Sequence, residues 1–462
     1  MAPWLALVVL LGGAPSSPAR ALVGATLVDG TGAAPVPKAT IVVRNGRIEC
    51  AGKDCAVPKG AEVTDVSGLW ILPGLIDAHV HFSQTGWADG RPDAFDARDR
   101  YPYEKVEADL ADHPERFLKT DLCSGLTSVF DVGGYPWTIE MAHRKRGDTD
   151  SPRVAAAGPL LSTIDFWLNL PAERQFVHLK DPDAARTEVR YLAARGADAV
   201  KVWFIVTPQQ TVEASTPAVL ATGEEAHRLG LPLIVHATGL AEAKVALKAG
   251  AHLLVHSVDD SPVDDEFLTL ARANGTIYCP TLTVVGGYAR LARAIASRTA
   301  PTIDDPNLCV DAATRRKIAE TADLSIPGMD ALADRMAKET TAITPTMASN
   351  LKRVSDAGIP IAMGTDAGNP LTLHGPSIYA EMEAMQAAGL SPMQVIVAAT
   401  SGGSRAMGAE KETGTLAKGK SADLIVVEAD PTKDVANLRR LRAVMRAGVW
   451  HSQPDLRVPA AP

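Results

Sequence analysis

From residue 75 to residue 363 the chain repeats one unit: a short, almost wholly apolar run, then a longer segment with helical spacing of its apolar residues. Such runs lack in-and-out alternation, the mark of strands covered on both faces, and strands that each hand over to a helix pair in parallel. The candidate strands are residues 75–80, 127–130, 154–157, 199–204, 233–235, 253–255, 276–278 and 361–363. Eight of them predict an α/β fold of the (β/α)8 barrel type. With 462 residues, 46% hydrophobic and 22% charged, the chain can fill so large a core and is too apolar to stay disordered.

The two ends of the chain read differently. Residues 25–29 and 40–43 are short runs rich in Val, Ile and Thr, and Asn45-Gly46 is a hairpin turn signal. A comparable pattern returns at 414–416, 423–427 and 444–449. The ends are therefore expected to pair into a small β-sandwich domain, 22–72 with 409–462, beside a barrel of 73–408. Residues from about 286 to 355 are too long for one crossover and read as a helical insertion, of the kind that shapes a substrate entrance.

The net charge of −8, from 46 Lys and Arg against 54 Asp and Glu, gives no basic field to attract nucleic acid. The cluster Arg144, Lys145, Arg146 is local and reads as the solvated end of a helix. The longest apolar run, residues 4–12, is about half of the roughly 20 residues a membrane span needs. Followed by small residues and Pro up to Ala21, it reads as a signal peptide over 1–21 and predicts an exported, periplasmic or secreted protein. Five cysteines are too few for a disulfide scaffold; Cys50 and Cys55 flank a turn and are either a bridge or two reduced thiols.

The polar residues of the apolar runs carry the chemistry. His79 and His81, two apart at the end of the first run, project to one side, and neutral imidazoles are good ligands for Zn²⁺ or a similar ion. Alone, such a pair can be coincidence. His236 and His256, however, close the fifth and sixth runs, and Asp366 follows the eighth, so all five meet at the mouth where barrel enzymes keep their catalytic groups. Lys201 lies inside the fourth run, where an ammonium would be desolvated and would face a dication. Two readings stand: a carbamate formed with CO₂ that bridges two metal ions, or a lysine whose amine snorkels out of the mouth.

Taken together, LPGLIDAHVH (72–81), GLTSVFDVGG (125–134), GADAVKV (196–202), VHATG (235–239), AGAHLLVHS (249–257), GIPIAMGTDAG (358–368), LSPMQVIVAATSGGSRAMG (390–408) and GTLAKGKSADLIVV (414–427) resemble the amidohydrolase superfamily. The resemblance covers roughly residues 22–450 and is strongest to the imidazolonepropionase-related branch that includes Xaa-Pro dipeptidases. It implies two divalent metal ions, of which Zn²⁺ is the expected one. His79 and His81 would hold the more buried ion, His236 and His256 the second, the Lys201 carbamate would bridge, and Asp366 would bind the first ion and move protons.

The implied reaction is hydrolysis of a carbon–nitrogen amide bond, by metal-activated hydroxide, in a small-molecule substrate such as a dipeptide or N-acyl amino acid. A lactam, an ester or a phosphotriester is the alternative at the same site, and an inactive barrel kept as a binding protein is the alternative of another class. Where many relatives carry His-Ala-His this chain has His236-Ala237-Thr238, and where they carry Glu-His-Gly it has Val255-His256-Ser257. His374, just past Asp366, and Tyr288 are candidates for touching substrate, and Arg91, Arg98 and Arg100 for meeting a carboxylate. Cys279 reads as a buried, inert thiol, and assembly as a homo-oligomer is left open.

Overall fold

The computed structural model describes residues 18–165, 175–339 and 343–458. Five strands open it: β1 (Arg20–Leu27), β2 (Val36–Arg44), β3 (Arg47–Gly52), β4 (Glu62–Asp65) and β5 (Trp70–Pro73). Nine follow: β6 (Leu75–Val80), β7 (Leu126–Asp131), β8 (Arg153–Ala156), β9 (Leu160–Ser162), β10 (Phe176–His178), β11 (Val200–Trp203), β12 (Leu233–His236), β13 (Leu253–Val255) and β14 (Ile277–Cys279). Three close it: β15 (Leu424–Val427), β16 (Leu441–Arg446) and β17 (Val449–Ser452).

The chain ends do combine. They form one eight-stranded sheet in the order β17-β16-β15-β5-β1-β2-β3, with β4 beside β1. The expected hairpin joins β2 to β3, and Asn45 and Gly46 both take positive φ (51° and 75°), as a two-residue primed turn requires. Instead of two separate layers, the sheet folds on itself. Ile48 of edge strand β3 donates to Lys420 O at 2.9 Å and accepts from Gly419 N at 2.8 Å, in the segment leading into β15. Leu22, Ile41, Ile71, Leu424 and Val426 are buried between. Residues 1–17, most of the expected leader, lie outside the described residues; Arg20 and Ala21 already belong to β1, where Ala21 is buried opposite Val42.

The central region is a TIM-barrel-like α/β arrangement of parallel strands, in sheets β6-β7-β8 and β10-β9-β11-β12-β13-β14. Seven of the eight expected runs are strands. The eighth, at 361–363, instead links its neighbours by main-chain bonds: Ala362 N donates to Tyr278 O at 3.0 Å, and Ala78 N to Met363 O at 3.0 Å. Between β8 and β11 the link is Asp198 N to Ala156 O at 2.9 Å. The short parallel pair β9 and β10, beside β11, was not expected from periodicity. Among the described residues no helix is long and apolar enough to cross a membrane.

The expected insertion contains the helices Val284–Ala296, Ala312–Ala319, Met329–Glu339 and Pro345–Asp356. It shares a separate core with the loop after β6: Trp87 and Phe95 pack with Leu291, Ile295, Ile318 and Leu324. Trp87 Nε1 donates to Thr321 Oγ1 at 2.9 Å, and Lys317 Nζ meets the buried Asp89 at 2.5 Å. A disulfide between Cys123 and Cys309, 186 residues apart, fastens this cap to the helix before β7, and Cys50 pairs with Cys55. Because it closes so long a loop, the first bridge should contribute about 2–4 kcal/mol. A double Cys123→Ser, Cys309→Ser variant is expected to unfold at correspondingly lower denaturant, and an unchanged unfolding curve would contradict that role.

Candidate metal centre

The strand ends bring the polar residues together because the ladders run in register. Lys201 is paired with Ile234, Trp203 with His236, and His236 with Val255. His79 and His81 follow each other at the end of β6, with Nε2 atoms 3.2 Å apart. Both face one oxygen of Asp366: His79 Nε2 lies 3.2 Å and His81 Nε2 2.9 Å from Oδ1. His256 comes within 4.0 Å of Oδ2, and its ring centroid is 5.0 Å from that of His79 and 4.2 Å from that of His236.

The protonation states suit cation binding. Gly133 O can only accept, so in the 2.6 Å contact His81 Nδ1 is the donor, which orients the ring with Nε2 toward Asp366. Burial draws His79 down to about 4 and His236 to about 3, and holds His256 well below the usual imidazole range. Burial alone would raise Asp366, but His79 and His81 hold its carboxyl well below the usual carboxylate range. Ligand atoms of His79, His256 and Asp366 all lie within 4.8 Å of one another. Buried His79 Nδ1 and Asp366 Oδ1 find no hydrogen-bond partner. That arrangement is unfavourable alone and fits a divalent cation.

Lys201 is 1% exposed, and burial draws its amine down to about 8. Among the described residues no carboxylate pairs with that amine. Backbone strain collects here too: His256 (φ 74°), Thr281 (43°) and Asp366 (65°) are non-glycine residues in the left-handed region. The surroundings hold them. Asp366 N donates to His79 O at 2.8 Å, His256 N to Cys279 O at 2.9 Å, and Thr281 Oγ1 meets His256 Nδ1 at 2.7 Å.

Among the buried acids not singled out in the sequence, two tie the elements of the site together. Asp77, two residues before His79, accepts from His79 N and Thr365 N at 3.0 Å each and from Thr365 Oγ1 at 2.6 Å, joining β6 to the Asp366 turn. Its position one alternation before the two histidines was the available signal. Glu381 accepts from Leu282 N (2.7 Å), Thr283 N (3.0 Å) and Thr283 Oγ1 (2.8 Å), and so fixes the start of the helix that carries Tyr288. Nothing local in its own helix marks it.

All six expected ligands, His79, His81, Lys201, His236, His256 and Asp366, line one cavity of about 230 Å³. Tyr288 lines it as well, with Arg91, Gln84 and Asn369. Asn369 Oδ1 accepts from Arg91 Nη1 at 2.6 Å and from the Tyr288 hydroxyl at 2.6 Å, while Asp93 holds the other edge of the guanidinium. Of the other two loop arginines, Arg98 pairs with Asp96 and Arg100 with Glu320.

His374 is a correction. The structure keeps it out of the cavity: its ring is 2% exposed and stacked between Phe82 (5.0 Å) and Phe117 (4.4 Å). The chain turns at Gly375, whose positive φ (81°) comes with close packing on Thr120 and Ser124. Cys279 is buried with its thiol pushed well up by burial, as an inert core residue would be. Thr238 lines the cavity, whereas Ser257 turns away and donates to Pro280 O at 3.0 Å.

A TIM-barrel-like fold with an added β domain, and four imidazoles, a lysine and an aspartate at its strand ends, defines a metal-dependent hydrolase of amide carbon–nitrogen bonds. The chain belongs to the Amidohydrolase family, which it matches over residues 70–450. It is 25% identical to the ochratoxinase of Aspergillus niger, over 92% of this chain and 84% of that protein. It is 28% identical to the imidazolonepropionase of Agrobacterium fabrum, over 86% of each. A crystal structure of a Xaa-Pro dipeptidase with methionine in its active site superposes with a TM-score of 0.67 at 23% identity, over 94% of this chain and all (100%) of that one. At that identity the likeness speaks for the fold.

Proposed function

We propose that the protein is a two-metal hydrolase, with its strand ends read as an eight-stranded barrel mouth, that cleaves an amide next to a free carboxylate, as in a dipeptide or N-acyl amino acid. The observation that carries this reading is the Arg91–Tyr288–Asn369 cluster in the same cavity as the six candidate ligands. His79, His81 and Asp366 would hold one ion, His236 and His256 the other, and Lys201 as its carbamate would bridge them. The carbamate forms when the neutral amine adds to CO₂ and loses a proton to solvent, which turns a buried cation into an anion among imidazoles. Two divalent ions, Zn²⁺ being the expected one, would lower the pKa of a water and polarise the amide carbonyl.

Asp366 takes the proton of the attacking water and delivers it to the departing nitrogen. Arg91 offers the carboxylate a charged donor, and Tyr288 a hydroxyl, while Asn369 and Asp93 keep the guanidinium aimed at the cavity. Replacing Arg91 by Ala is expected to raise KM for N-acyl amino acids about tenfold to hundredfold, the loss of one charged hydrogen bond. The corresponding carboxamides should be poor substrates of the native enzyme and should gain nothing from the change. Equal turnover of acids and amides by the native enzyme would overturn the carboxylate reading.

We infer in addition that the protein is exported. The apolar leader and two disulfides support this, since such bridges persist in oxidising compartments. The mature chain should retain β1 whole, so its first residue is expected at or before Arg20. N-terminal sequencing of protein from the periplasm or medium tests both points; a cytoplasmic protein with an intact leader would refute them.

A further inference from the structure

We propose that the enzyme selects amides whose acyl half is bulky and apolar, above all aromatic, with Trp203 and Phe176 as the recognising wall. The inference deepens the proposed reaction and rests on it for the position of the scissile bond.

Lys201 and Trp203 are two apart on β11 and share its inward side, so the indole stands one layer above the amine, nearer the mouth. The ladder sets Trp203 opposite His236, with ring centroids 6.3 Å apart. Phe176 of β10 lies 5.0 Å from the indole at 54°, and Leu160, its partner in the β9 ladder, also lines the cavity. Ile205, just past β11, extends this wall. Among the described residues, no charged side chain belongs to it. It is therefore a surface that a ring or a large alkyl group desolvates with gain and a charged or small acyl group does not.

The position of the wall fixes which half of the substrate meets it. Of the eight strand positions round the mouth, β11 is the fourth. Arg91, Tyr288 and Asn369 come from the loops after the first, the seventh and the eighth. The carboxylate cluster thus faces the aromatic wall across the mouth, in the cavity that the six candidate ligands also line. A substrate whose carboxylate-bearing amine half reaches Arg91 must lay its acyl half against Trp203.

The test compares N-benzoyl, N-acetyl and N-succinyl derivatives of one amino acid on the zinc-loaded enzyme. It also compares binding of the unreactive benzenesulfonyl and methanesulfonyl amino acids to the metal-free protein by calorimetry. The native enzyme should favour benzoyl over acetyl in kcat/KM by about tenfold or more, with succinyl poorest, and bind the benzenesulfonyl compound tighter by a similar factor. Trp203→Ala should bring both ratios close to one, Trp203→Phe should keep most of each, and Phe176→Ala serves as second variant if Trp203→Ala does not fold. Turnover of all three series with a benzoyl-to-acetyl ratio near one overturns this inference and leaves the reaction standing. No turnover of any amide, with the sulfonyl preference intact and lost in Trp203→Ala, overturns the reaction and leaves the apolar wall.

Discussion

Asp366→Asn is expected to lower kcat on the order of 10³-fold, within the span that a positioned general acid and base contributes, while metal content stays close to native. The two effects separate because of where the carboxylate sits. Oδ1 lies between the Nε2 atoms of His79 and His81, and an asparagine carbonyl can occupy that point with similar shape. What asparagine lacks is basicity, and the neighbouring imidazole of His79, held neutral by burial, would spend its lone pair on the ion rather than on the proton. The strained backbone at residue 366 is unaffected, since asparagine also tolerates positive φ. Metal analysis and turnover on the same sample decide the matter. Near-native turnover would remove Asp366 from the proton path, and loss of metal together with turnover would make it a ligand only.

The second large effect is expected at Lys201. Its replacement by Ala should remove turnover and weaken metal binding by more than the roughly 10–100-fold that loss of a supporting group outside the ligand shell costs. Lys201→Arg is the sharper comparison, because it keeps the positive charge and much of the volume yet cannot form a carbamate. If Lys201 only snorkelled out of the mouth, Arg would do as well. If it acts as the carbamate, Arg should be as inactive as Ala, and a short carboxylic acid such as propionate should restore part of the activity of the Ala variant alone. The burial of Lys201 and the lack, among the described residues, of a carboxylate for its amine favour the second outcome.

How much of this could be read from the chain depends on how local each signal is. The strands and the residues at their ends were legible because two-face burial writes itself as short apolar runs, and His79, His81, Lys201, His236 and His256 interrupt or close those runs. Asp366 was legible only through its position after an eighth run, and that run turned out to be linking backbone rather than a strand. Strands β9 and β10 are three residues each, too short for any period to show. The Cys123–Cys309 bridge and the reach of Glu381 to the start of the Tyr288 helix join segments 186 and 98 residues apart, so only tertiary packing creates them. His374 failed for a related reason: its nearness to Asp366 in sequence was real, but the turn at Gly375 and two flanking phenylalanines decided where the ring went.

Anomalous diffraction at the zinc edge, from crystals grown with Zn²⁺ and bicarbonate, tests the central claim most directly. The account predicts two peaks in the cavity, one against His79, His81 and Asp366 and one against His236 and His256, with planar density extending the Lys201 amine between them. A single peak, peaks elsewhere on the protein, or an unmodified Lys201 beside bound metal would contradict it.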